Sequence, residues 1–404
     1  IVRGYIAAGN EIDNATVVVE SGGVIQGKSN TIMGRETSGL TVINSGTIEA
    51  TSSKAIQLQD AQGATITNKS GGLIFANTNA IVQQDATGAE DAENTTISNA
   101  GTIYSEENRA IYFYGGATNA TVTNELGGTI YNLSNFATVQ IDTSSTLINK
   151  GTIKNRNSVS DVGIAIVGND NTITLKDKSI LVGKIDGGAT TGNTLEFQHG
   201  VGQGYYYETV GSFTLKDLDG NQVVKGSAGS VGQGGNETLD ELLSYKSLNI
   251  RQFLNRYKDS KNLYDGNGWG ETYTSLLNRK GHAANLALEY DLFNVGANLI
   301  SPLENSDFIL AFEAGTQDFE TDHKITYQNV SAGLYLPSNK YLLNLESFIL
   351  GGITLKEGKR KILTNTTSSG KLNIDSNYQT FEIHSGVTKT NSKLVPNVGL
   401  TGSF

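Results

Sequence analysis

The chain contains no cysteine, so disulfides, thiolate metal sites and cysteine nucleophiles are excluded at the outset. Proline occurs three times and tryptophan once, and only 17% of the residues are charged, against 48 glycines in 404 residues. A disordered linker protein would carry more proline and more charge. This profile suits repetitive β-structure with many tight turns. The net charge of -10 and the absence of a basic stripe disfavour sequence-independent nucleic-acid binding, so no nucleic-acid partner is expected. No apolar run is long enough for a transmembrane helix, whereas a β-barrel, whose strands show only alternation, stays open. A cysteine-free, acidic, Asn- and Thr-rich chain fits a bacterial secreted protein that crosses the periplasm unfolded. The sequence begins at Ile1 without a signal peptide, so either the signal is removed or the sequence starts inside a longer gene.

Catalytic signatures are also lacking. The histidines His199, His282, His323 and His384 fall in unrelated contexts without metal-ligand spacing. There is no Gly-x-Ser-x-Gly elbow. The phrase Gly200-x-Gly202-x-Gly204 lacks the strand-to-helix setting of a phosphate loop, and Asp217-x-Asp219-Gly220 is too short for a calcium loop. Asp85, Asp91, Asp142 and Asp161 share no repeat register. The expectation is a protein that is not an enzyme, with no catalytic, cofactor-binding or metal-ligating residues and no cofactor.

What the chain does have, over its first 200 residues, is a repeat. Asn44-Ser45-Gly46-Thr47-Ile48 returns as Asn99-Ala100-Gly101-Thr102-Ile103 and Asn149-Lys150-Gly151-Thr152-Ile153, with longer forms starting at Asn68 and Asn124 and a weaker copy at Ser21. Short Thr-apolar stretches centred on Val17, Val42, Ile66, Ile97, Val122, Leu147 and Ile173 precede these phrases at a period of about 25. A third apolar position falls at Ile56, Ile81, Ile111 and Ile166. Three short strands per repeat make one coil of a β-solenoid: a single coil cannot bury its own side chains, but stacked coils bury Ile on Ile. Stacking would align Asn44, Asn68, Asn99, Asn124 and Asn149 as a structural ladder at one corner, followed by glycines able to take φ > 0. The residues around Ala86 to Asn94 read as an acidic insertion, and Thr65, Thr67, Thr121, Thr123, Thr172 and Thr174 as part of an outward ladder broken at Ile43, Ser98 and Ile148. Tyr205, Tyr206, Tyr207 and Phe213 are expected to close the apolar stack.

From Asn236 to Lys258 the period changes to that of a helix face, with Leu239, Leu242, Leu243, Ile250, Phe253, Leu254 and Tyr257 at three- and four-residue steps. Asn236 is placed to cap it, and Arg251, Arg256 and Lys258 near its end complement the macrodipole. After Trp269 the period becomes two over longer runs, as in Phe308, Leu310, Phe312 and Ala314, and then Val330, Ala332, Leu334 and Leu336. Such alternation fits a membrane barrel with a lipid-facing and a lumen-facing side.

The phrases Leu181-x-Gly183-x-Ile185-Asp186-Gly187-Gly188, Asn193-Thr194-Leu195, Leu218-Asp219-Gly220 and Glu237-Thr238-Leu239-Asp240-Glu241-Leu242, in this order before a barrel-like tail, resemble bacterial autotransporters (type V secretion). The resemblance implies an all-β chain: a right-handed parallel β-helix passenger over 1-235, a linker α-helix and connector over 236-267, and a partial antiparallel transmembrane β-barrel over 268-404 that starts at Trp269. It implies export and display of the passenger at the Gram-negative cell surface, for adhesion or another surface interaction. The implied partners are outer-membrane lipid, the barrel assembly machinery and a surface ligand the sequence does not name. About six or seven strands are readable where single-chain barrels have at least about eight, so the expectation is a truncated sequence with Phe404 a coincidental stop. Some relatives cut themselves at an Asn-Asn pair in the linker helix; here Asn249 and Asn255 are separate, which argues against release by that route. The alternatives are a secreted β-helix enzyme that degrades acidic polysaccharide and a purely structural surface protein.

Overall fold

The coils are built from short strands, most of four residues, in which a threonine or other β-former alternates with a side chain too apolar to leave in water. In the computed structural model these strands stack into three parallel sheets of eight, nine and nine strands, with every third strand hydrogen-bonded to the next. The structure describes residues 2–3, 6–8, 13–86, 92–156, 158–230, 234–261, 268–280, 289–339 and 345–389. They form two units, the first holding the described residues up to 230 together with Ile362–Leu372, the second holding the rest. Residues 87–91 of the acidic insertion, His282 and the terminal stretch through Phe404 lie outside the described residues.

The first unit is a β-solenoid. Ile48, Ile74, Ile103, Ile130 and Ile153 run in register along the first sheet and are fully buried. Val42, Ile66, Ile97, Val122, Leu147 and Ile173 do the same along the third. In the second sheet Ile56, Ile81 and Ile111 continue through Val139 to Ile164, not to Ile166, which pairs with Ile141 one column over. Each such side chain contributes roughly 1.5–3 kcal/mol by leaving water.

At the corner between the third and first sheets stand the five asparagines of the repeat, all with no exposed surface. Asn44 Nδ2 donates to Asn68 Oδ1 at 2.8 Å, Asn68 to Asn99 at 2.8 Å, Asn99 to Asn124 at 2.8 Å and Asn124 to Asn149 at 2.9 Å. Each amide donates in addition to a backbone carbonyl of the next coil, as Asn99 does to Thr129 at 3.2 Å. The glycines beside them act through space more than through conformation. Gly71 and Gly127 in the longer phrases have φ of +81° and +84°, as expected, but Gly46, Gly101 and Gly151 are not in the left-handed region. A Cβ at Gly101 would instead strike the carbonyl oxygens of Gly72 and Lys69 in the coil before. The repeated glycine of the short phrase is therefore required for close stacking of coils.

The outward threonines also form a longer array than the partial ladder expected. The first residues of the third-sheet strands, from Thr16 and Thr41 through Thr65, Thr96, Thr121, Thr146, Thr172 and Thr194 to Thr214, are in register without interruption. The breaks at Ile43, Ser98 and Ile148 belong to the neighbouring column.

Aromatic rings finish the stack. Phe197 lies against Tyr205 at 4.4 Å and Tyr207 at 5.7 Å between ring centres, while Tyr206 points outward. The Asp217 carboxylate accepts from the Tyr205 hydroxyl at 2.7 Å and from the backbone N–H groups of Asp219 and Asn221, so it serves the turn and not a cation. Asn365, from the Ile362–Leu372 segment, is buried among these coils: its Nδ2 donates to the Gly183 and Glu208 carbonyls and its Oδ1 accepts from the Glu208 N–H.

Among its described residues the second unit is one helix and a six-stranded antiparallel sheet, whose last two strands run into the Ile362–Leu372 segment of the first unit. The helix runs Gly234–Lys261, two residues earlier and three later than its apolar period suggests, so Asn236 lies inside it and is not its cap. The strands are Trp269–Arg279, Tyr290–Pro302, Asp307–Phe319, His323–Asn339, Leu345–Thr364 and Lys371–Lys389, each paired with its sequence neighbour. No described helix is long and apolar enough to cross a membrane.

Candidate functional site: a helix on the polar face of the sheet

The sheet of the second unit exposes a largely apolar face and buries a mixed polar and apolar one. On one face stand Phe293, Val295, Leu299, Phe308, Phe312, Val330, Leu334, Ile349, Ile353, Leu355, Phe381 and Ile383, all exposed. On the other the buried side chains include Asn294, Asn298, Glu313, Gln317, Asn329, Ser331, Thr354, Glu382 and His384. Strand alternation produces this split from the sequence, since successive residues point to opposite faces.

The helix lies on the polar face. Leu242, Leu243, Ile250, Phe253 and Leu254 are each buried, whereas the side chain of Leu239 lies outside the described residues. Ile250, Phe253, Leu254 and Tyr257 pack with Ile300, Ile309, Ala311, Tyr335 and Leu350 in one apolar cluster. Trp269, the first residue of the first strand, stacks on Phe253 with ring centres 5.1 Å apart.

Three sets of polar contacts hold the helix along its length. Near its start Glu241 accepts from the Tyr290 hydroxyl at 2.7 Å and pairs with Arg279 at 3.1 Å. In the middle Lys246 Nζ meets Glu382 Oε2 at 3.0 Å, both side chains almost completely shielded from solvent. Glu382 also accepts from Thr354 and from Asn329 Nδ2, and Asn329 in turn accepts from Ser331. Towards its end Arg256 forms a two-bond pair with Glu271, and Lys258 meets Glu346 at 2.5 Å. Two of the three basic residues assigned to the end of the helix, Arg256 and Lys258, thus bind carboxylates of the sheet.

Ser247 Oγ lies 2.9 Å from His384 Nδ1, and His384 Nε2 lies 3.3 Å from Glu382 Oε2. The order hydroxyl, imidazole, carboxylate is that of a nucleophile, base and orienting acid. Two features make it a structural network. Glu382 is already neutralised by Lys246. Ser247 sits in an unbroken helix whose amides bond to carbonyls four residues back, leaving none to stabilise an oxyanion.

The other two described histidines, His199 and His323, have local roles. His199 is buried with Nε2 3.0 Å from the Tyr207 hydroxyl, and burial pushes its pKa down to about 3. His323 stacks on Phe319. Among the described residues no three His, Asp or Glu side chains converge as metal ligands.

Two groups of residues were not singled out from the sequence. One is the helix-to-sheet network of Lys246, Asn329, Thr354 and Glu382, in which Lys246 reaches partners 108 and 136 residues away that leave no local signal. The other is an outward aromatic ladder on the first sheet: Phe75 stacks on Tyr104 at 5.1 Å and Tyr104 on Tyr131 at 4.3 Å. Its signal was present, since each ring follows the Thr-Ile or Leu-Ile of its repeat phrase by one position. No protein-family model, no curated protein and no solved structure matches this chain.

Proposed function

We propose that the chain is part of an autotransporter-like outer-membrane protein, in which an antiparallel barrel wall carries the second unit in the lipid and the solenoid is displayed at the cell surface. The observation that carries this reading is the largely apolar exposed face of the sheet of the second unit. A row such as Ala297, Phe312, Val330 and Ile353, cross-strand neighbours on the exposed face, is stable in hydrocarbon and costly in water. The opposite face, with Asn, Glu, Thr and a buried ion pair, has the composition of a barrel interior occupied by a helix. The six described strands fall short of the eight or so of the smallest closed barrels, so on this reading they form part of the wall and do not close it by themselves.

The mechanism the reading entails is export without a nucleotide: the passenger crosses the outer membrane extended and folds outside. Stacking of coils then opposes its return, because each coil that adds to the stack buries apolar side chains and pairs three strands. Adhesion or another surface interaction is the role of the displayed solenoid. Barrel assembly machinery and outer-membrane lipid are the implied partners.

The test is expression in a Gram-negative host with cell fractionation and protease treatment of intact cells. The expected result is recovery in the outer-membrane fraction with the solenoid cleaved from outside. Recovery as a soluble protein, or a solenoid that external protease never reaches, would overturn the proposal.

A further inference from the structure

The aromatic ladder of the first sheet ends at Tyr131, whose register partner in the next coil is Lys154. At this step the surface opens into a groove of about 350 Å³ lined by Thr129, Tyr131, Leu133, Thr152, Lys154 and Arg156. Three of its properties point to a ligand.

The first is charge. In a chain of net charge -10, Lys154 and Arg156 form no ion pair among the described residues, whereas Lys150, Lys184 and Lys216 of the same unit each meet a glutamate. Glu106 lies in the coil of Tyr104, two coils before Lys154, and accepts from the Tyr104 hydroxyl. Charges beyond about 8 Å are screened at physiological salt, so the two local cations and not the overall charge set the field in the groove.

The second is backbone. Arg156 has φ of +37°, a conformation an arginine does not favour, and one that glycine would occupy without strain. Its N–H bonds to the Asn132 carbonyl at 2.8 Å, which holds the backbone at the rim of the groove. The third is the lining itself. The hydroxyls of Thr129 and Thr152 have no protein partner among the described residues, and they stand beside an apolar ledge formed by Tyr131 and the exposed Leu133.

We propose that this groove binds a carboxylate-bearing saccharide, such as a uronate unit of an acidic polysaccharide. The apolar C–H face of the sugar ring lies on Tyr131 and Leu133, its hydroxyls meet Thr129 and Thr152, and its carboxylate sits between Lys154 and Arg156. The Arg fork matches a carboxylate in two bonds. A saccharide fits better than an acidic peptide because the hydroxyl pair and the ring-sized apolar ledge lie on the same side as the cations. The inference deepens the surface-interaction reading and rests on it for its biological setting.

The test is isothermal titration of the full chain in non-ionic detergent with oligogalacturonate, its fully methyl-esterified form and oligoglutamate. The free acid should bind about tenfold more tightly than the ester, since one charge-assisted pair is worth about that factor. Lys154→Ala and Arg156→Gly should each remove about that factor, while Tyr131→Ala should weaken acid and ester alike. Arg156→Gly suits the local backbone, so its melting temperature should hold or rise, separating lost binding from lost folding. The proposal is overturned if oligogalacturonate does not bind, if acid and ester bind equally, if oligoglutamate binds as well, or if Arg156→Gly binds unchanged. Titration in solution does not depend on cellular location, so failure here is distinguishable from failure of the outer-membrane reading.

Discussion

Asn99 shows at the scale of one residue how the solenoid is held. Its Oδ1 accepts from Asn68 and its Nδ2 donates to Asn124 and to the Thr129 carbonyl, all without contact with water. Asn99→Ala should orphan groups on both sides at about 1–3 kcal/mol each. Asn44→Ala, at the end of the ladder, frees the Asn68 side chain and the Leu73 carbonyl on one side only, together with the Gly46 N–H of its own turn, so its effect should be confined to the coils on that side. Hydrogen exchange across the coils measures both; equal effects would show that the ladder is not acting as a chain. His199 gives a pH dependence. Its folded pKa is about 3 against an ordinary 6.5, so the folded state resists the proton that the unfolded chain accepts. Its neutral form therefore imposes no loss above pH 6.5, and stability falls as pH drops from there towards 3, by roughly 1.4 kcal/mol per unit. His199→Gln, which cannot take up a proton, should flatten this part of a melting-temperature profile; an unchanged slope would place the effect elsewhere.

At the scale of the element, the helix is the piece whose attachment can be tested. Lys246 and Glu382 are buried together, so removing one leaves a charge without its partner, at a cost of about 3–5 kcal/mol, while replacing both removes that charge and should cost less than the sum of the single losses, the remainder coming from Thr354 and Asn329 left without the carboxylate. Lys246→Met, Glu382→Leu and the double variant, compared by hydrogen-exchange protection of the helix, form the cycle. Additive losses would mean that the pair is not coupled. Much of this element was legible in advance: the spacing of Leu242, Leu243, Ile250, Phe253 and Leu254 marks the helix and the face that is buried. Its ends were not, because Gly234 and Lys261 carry no periodic apolar residue. The solenoid was legible for the same reason, since each coil repeats what the next must match. The placement of Asn365 among coils some 180 residues earlier was not, because no local pattern announces a long-range partner. The aromatic ladder was less legible because its column holds a ring in only three coils, with Glu49 and Lys154 at the same position in the coils on either side.

At the scale of the whole molecule the question is which solvent the second unit is built for. In water, a lysine at an exposed position away from special features changes stability by no more than about 0.5 kcal/mol. In a lipid-facing wall the same substitution costs about 2–4 kcal/mol at the bilayer midplane and about 0–1 near its edges. The exposed face provides both depths on one strand. Val330 stands among Phe312 and Ile353, within the apolar row, whereas Thr326 is four residues away towards Lys324, on the same face and paired with Thr316 and Glu357. If the face meets lipid, Val330→Lys should sharply lower the yield of folded protein in the outer membrane, and Thr326→Lys should leave it nearly unchanged. If the face meets water, the two should behave alike, and Val330→Lys should improve solubility. Comparing the two by heat-modifiable mobility on gels of the membrane fraction reads the depth dependence directly. That dependence belongs to a bilayer, because an aqueous surface has no midplane for Val330 to be nearer to than Thr326.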